Sequence, residues 1–138
     1  MSEAFEQQPF DPGPFIDNPS QRCPCLLILD VSGSMSGQPI RELNDGVVLL
    51  KDELSADPLA SKRVQIGVIT FGPVETVTEF VDAGMWAAPQ LTSKGDTPMG
   101  AAIESGLQML EAQKAIYRSS GIPHYRPWVF LITDGGPT

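Results

Sequence analysis

At 138 residues the chain is long enough for one domain with its own core and too short for two. Seventeen acidic against nine basic residues give a net charge of −8, and no run of Lys or Arg builds the cationic track that nucleic acid requires. No apolar stretch reaches the roughly 18 residues of a membrane helix. The acidic opening Met1-Ser-Glu-Ala-Phe-Glu lacks the apolar centre of a secretory signal, so a cytoplasmic location is expected.

Residues 1–23 read as an extended, partly docked N-terminal arm. Pro9, Pro12, Pro14 and Pro19 break helix and central strand alike, while Phe5, Phe10, Phe15 and Ile16 are unusual for a free tail. Cys23 and Cys25 stand one residue apart. A disulfide between them would close a strained ring, and two ligands alone make no zinc site, so Cys25 is expected simply to begin a buried strand.

The domain itself is expected over residues 24–138. Residues 25–30 form a continuous apolar run closed by Asp30 and a Gly/Ser turn, the pattern of a strand covered on both faces. After Pro39, the residues Ile40, Leu43, Val47, Leu50 and Leu54 step by three and four, which predicts an amphipathic helix to about residue 55. Pro39 suits its first turn, where the missing N–H has no intrahelical partner. A second strand is expected at 64–71, then a Gly72-Pro73 turn and an alternating run at 74–80 that reads as a half-exposed antiparallel edge. Residues 82–96 are expected as loop. A helix from Pro98 to about residue 118 carries Met99, Ile103, Leu107, Leu110 and Tyr117 on its apolar stripe, and residues 128–133 read as another fully buried strand before Asp134. The order β-α-β-β-α-β predicts an α/β doubly wound, mostly parallel sheet with one antiparallel edge strand.

Two buried strands thus end in an aspartate, Asp30 and Asp134. In open α/β sheets, ligands bind beyond the carboxyl ends of the strands near the switch in strand order. In the text Asp30-Val-Ser32-Gly-Ser34, alternation can aim Asp30, Ser32 and Ser34 at one point, where they are expected to hold a divalent cation. Taken singly, each piece has a plainer role: a Ser-Gly-Ser turn, an Asp-Gly turn, and Thr97 as an N-cap before Pro98. Convergence of all of them on one sheet edge is what the plainer roles leave unexplained.

Asp30, Ser32 and Ser34, then Gly95-Asp-Thr97-Pro-Met-Gly100, then Thr133-Asp134-Gly135, together resemble the von Willebrand factor type A domain with its metal-ion-dependent adhesion site. The wording Leu-Asp-Val-Ser-Gly-Ser-Met and Thr-Pro-Met-Gly is most similar to bacterial proteins of the TerY kind, associated with tellurium resistance and stress. The resemblance implies a Rossmann-like fold in which Ser32 and Ser34 bind the ion directly. Thr97 would bind directly or through water, and Asp30 and Asp134 mainly through water. Hard oxygen donors suit Mg²⁺ or Mn²⁺, with Ca²⁺ a further candidate. The implied activity is adhesion: an acidic side chain of a partner protein completes the ion's shell, and no enzyme is expected.

The chain reaches Thr138 four residues past Asp134, where the resemblance implies further helix–strand units. Truncation after the fourth strand would leave that strand as an exposed edge, open to self-association or to a partner, in a fragment or in a half-domain that a partner completes. The alternative function is a Mg²⁺-dependent phosphatase or phosphoryl-transfer domain with Asp30 as nucleophile. Ser at position 32 argues against it, because such an enzyme needs a second acid there, and Lys94 is the sole candidate to neutralise a phosphate. His124 is expected to be solvated or structural.

Overall fold

The computed structural model describes residues 20–93, 95 and 98–133. The N-terminal arm up to residue 19, Lys94, Thr97 and Asp134 lie outside the described residues. The first apolar run forms β1 (Cys23–Asp30), buried at all but its first position. Helix α1 (Gln38–Ala56) follows with Pro39 in its first turn, then a short helix α2 (Pro58–Arg63). β2 (Val64–Phe71) and β3 (Glu75–Asp82) come next, followed by α3 (Met99–Ser119) and β4 (Trp128–Ile132).

The sheet order is β3-β2-β1-β4. β2 and β4 flank β1 in parallel, with Asp30 opposite Phe71 and Leu29 opposite Ile132, while β3 runs antiparallel to β2 at the edge. This is the mostly parallel α/β sheet that the element order predicts. Leu27 and Leu29 pack under α1 against Leu43 and Val47, and Leu26 and Ile28 pack under α3 against Ala102 and Leu110. Each fully buried Leu or Ile contributes about 1.5–3 kcal/mol, so β1 and β2, buried at all but their first positions, anchor the core together. Gly106 lets α3 approach: a Cβ there would stand 2.8 Å from Leu26 Cδ2.

Three expectations need correction. α2 falls where no helix was expected, although Asp57-Pro58 carries the signal: Asp57 accepts from the Leu59 and Ala60 amides at 2.9 and 3.2 Å, with the proline in the first turn. On α3, Leu107 is 54 % exposed, because the inward face runs through Ala102, Gly106, Leu110 and Tyr117 instead. The third concerns β4. Its hydropathy reads as a fully buried strand, but its five residues are 42–60 % exposed, in line with the expectation of an exposed edge, because among the described residues no strand flanks its outer side. Trp128 and Phe130 stack on one another at 6.1 Å. An apolar groove of about 480 Å³ opens between α1 and β4, lined by Leu29, Leu43, Val47 and Ile132 and reaching Thr133.

Candidate metal centre

The carboxyl ends of β1, β2 and β4 share one sheet edge, and the chain leaves β1 for β2 on one side and reaches β4 on the other, so the order switches beside β1. Asp30 ends β1 at that switch and is 0 % exposed. Its Oδ1 accepts the Ser32 amide at 2.8 Å and its Oδ2 accepts the Thr133 hydroxyl at 2.6 Å. Charge-assisted bonds to both oxygens compensate the loss of hydration that burial imposes on the carboxylate. The Val31 amide donates to the Phe71 carbonyl at 3.0 Å, which carries the ladder one residue past the strand. The backbone then turns through a single 3₁₀ turn, Gly33–Met35, held down by the buried Met35 side chain.

That turn brings Ser32 Oγ and Ser34 Oγ into a 3.0 Å hydrogen bond with one another, Ser32 buried and Ser34 at the surface. Among the described residues no three His, Cys, Asp or Glu side chains converge on one point. The available donors are therefore hydroxyls backed by one carboxylate, a hard-oxygen set suited to Mg²⁺ rather than to softer metals. Mg²⁺ takes octahedral oxygens at about 2.1 Å, so two adjacent ligands lie about 3.0 Å apart. The serine hydroxyls, which share a hydrogen bond at that distance, are compatible with two adjacent ligands of such an ion.

Thr97 and Asp134 fall outside the described residues, but their chain neighbours reach the site. Gly95, two residues before Thr97, accepts the Gly33 amide at 3.0 Å, and Ser93 Oγ stands 2.9 Å from Ser36 Oγ. Gly95 has φ +77°, and a Cβ there would lie 2.3 Å from the Gly72 carbonyl oxygen, so the position admits only glycine. Thr133, immediately before Asp134, is the partner that the sequence pattern did not assign. The available signal was a hydroxyl at the end of a strand that pairs with β1. Lys94 also lies outside the described residues. His124 belongs to the other end of the sheet, pairing with Arg22 ahead of β1 and lying 5.2 Å from the Tyr117 ring.

That other end carries a second polar cluster. Arg22, 1 % exposed, sends Nε to Asp82 Oδ1 at 3.0 Å and Nη2 to Oδ2 at 3.3 Å, and Nη1 to the Ser20 carbonyl. Gln65 donates to Asp82 Oδ1 at 3.0 Å and accepts from Gln113 at 2.8 Å and from the Tyr117 hydroxyl at 2.5 Å. Burial raises the Tyr117 hydroxyl pKa well above its ordinary value, so it stays a donor.

A mostly parallel sheet between helices, with a hydroxyl-rich turn at its switch point, places the chain in the class of doubly wound α/β domains. The chain belongs to the von Willebrand factor type A domain family, whose profile matches residues 25–137. It is 25 % identical over 125 residues to a von Willebrand factor A domain-containing protein of Dictyostelium discoideum, an alignment covering 87 % of this chain and 12 % of that protein. Among solved structures, a mutant of the PilB minor pilin from Streptococcus sanguinis superposes with a TM-score of 0.63 at 16 % identity, over 84 % of this chain and 30 % of the pilin. The vWF domain of the type V pili tip protein Mfa5 from Porphyromonas gingivalis gives 0.56 at 17 % identity, over 84 % and 38 %. At those identities the likeness is one of fold. The chain spans well under half the length of each of these relatives.

Proposed function

We propose that this domain is a metal-dependent protein-interaction module whose Ser32 and Ser34 hold a divalent cation, with Mg²⁺ the best match and Mn²⁺ or Ca²⁺ as alternatives. The observation that carries this reading is the 3.0 Å hydroxyl pair standing on a fully buried, doubly hydrogen-bonded Asp30. Asp30 fixes the turn through the Ser32 amide and supplies negative charge from behind, and Thr97 and Asp134 are proposed to complete the donor set. When bound, the cation supplies an electrophilic position that takes an acidic side chain from a partner. The TerY-like kinship, with its bacterial, cytoplasmic stress or tellurium-resistance setting, belongs to the same proposal and rests on the motif wording alone.

Asp30 is poorly placed for the alternative role of nucleophile. A nucleophile must present a free oxygen to substrate, and both Asp30 oxygens are engaged below the surface. Fluorescence anisotropy with an Asp-containing peptide should show binding that requires Mg²⁺, is reversed by chelation and is lost in Ser34→Ala. A parallel phosphatase assay should show no turnover; turnover abolished by Asp30→Ala would overturn the reading in favour of the enzyme.

The exposed β4 supports a second contact. Among the described residues β4 is an edge strand with exposed apolar side chains, which invites another strand, and self-association along it is expected. A single monomeric boundary in sedimentation velocity at high concentration would rule this out.

A further inference from the structure

Asn44 lies inside α1, where its residue type has only modest helix propensity. Its side chain turns instead to a distant part of the chain. Nδ2 donates to the Leu91 carbonyl at 2.9 Å, and the Leu91 amide donates to Oδ1 at 2.7 Å. One side-chain amide thus satisfies both backbone groups of residue 91, which belongs to no helix or strand. Leu91 is 6 % exposed and packs into the core under α1, so an apolar anchor backs the polar one.

From Leu91 the contacts step by two toward the metal centre. Ser93 meets Ser36, and the Gly95 carbonyl receives the amide of Gly33, which sits between Ser32 and Ser34. We propose that Asn44 is a positioning residue for the metal centre. It sets the height of Leu91 and Ser93, and with them the Gly95 carbonyl that holds the turn presenting the two serine hydroxyls. The inference rests on the metal-centre reading above and extends it to a residue that touches no ligand. Residues that orient ligands from behind typically change metal affinity 10- to 100-fold.

The test is a Mn²⁺ titration followed by electron paramagnetic resonance on the full chain, with amide exchange at Gly33 measured alongside. Asn44→Ala should bind Mn²⁺ about 10-fold more weakly and exchange its Gly33 amide faster. Val47→Ala, a core truncation one turn along α1, should lower the melting temperature yet keep wild-type affinity. If Asn44→Ala folds poorly, Asn44→Gln carries the same groups one methylene further out and should show the same weakening. Wild-type affinity in the Asn44 variant, with binding lost in Ser32→Ala, would overturn the positioning role and leave the metal centre standing. Wild-type affinity in Ser32→Ala, or no binding by the wild type, would overturn the metal centre and this inference with it.

Discussion

At the amino end of β1, Arg22 is 1 % exposed, and the side chains bonded around it close on one another: Asp82, Gln65, Gln113 and Tyr117. At the carboxyl end, Asp30 is 0 % exposed but hands on to Ser32 and then, at the surface, to Ser34. Both clusters bury charge in one sheet, so burial alone does not mark a working site. The difference lies in direction. The lower cluster spends its donors and acceptors on holding β1, β2, β3 and α3 together, whereas the upper one ends in hydroxyl oxygens at an open edge beside the switch in strand order.

The comparison breaks most clearly at Arg22. Arg22→Met removes the Arg22–Asp82 ion pair, and the expected loss in urea unfolding is about 3 kcal/mol, the lower end for a broken buried pair because Asp82 is 19 % exposed. The rise in stability that the proposed Mg²⁺ binding predicts should survive in that variant. A matched pair of smaller changes sharpens the contrast. Thr133→Val removes a bond to a charged acceptor and should cost about 1.5 kcal/mol together with weaker Mg²⁺ binding, whereas Tyr117→Phe should cost about 1 kcal/mol and leave Mg²⁺ binding unchanged. Equal effects on Mg²⁺ from both would erase the distinction between the two ends.

Between them, Cys25 offers a probe of the strand itself. Burial, aided by the neighbouring Cys23, pushes its thiol from 9.0 up to about 12. The native chain therefore keeps a proton that the unfolded chain releases, so this contribution to stability holds below pH 9 and declines as pH rises from 9 to 12. The expected decline is about 1 kcal/mol by pH 10, read as a falling urea midpoint. Cys25→Ala should flatten that slope.

Much of this was legible in the residues. The continuous apolar runs announced β1 and β2, the three-four stepping gave α1, and Asp30-Val-Ser32-Gly-Ser34 announced the turn at the strand end. What local pattern could not reveal were bonds between distant positions. Asn44 on a helix looks like a solvated residue until Leu91, 47 positions away, folds back against it. Arg22 looks like part of a polar arm until Asp82 closes on it. β4 carried two readings. Its hydropathy is that of a covered strand, whereas its place after the other strands implied an exposed edge, and the edge is what the structure has among the described residues.

The central claim is that the serine pair, and not buried charge as such, binds the cation. Isothermal titration of Mg²⁺ into the wild type and into the Ser32→Ala/Ser34→Ala double variant tests it most directly. The account predicts saturable one-site binding to the wild type and none to the variant, whose urea midpoint without metal stays near the wild-type value. Equal Mg²⁺ affinity in the two proteins would contradict it.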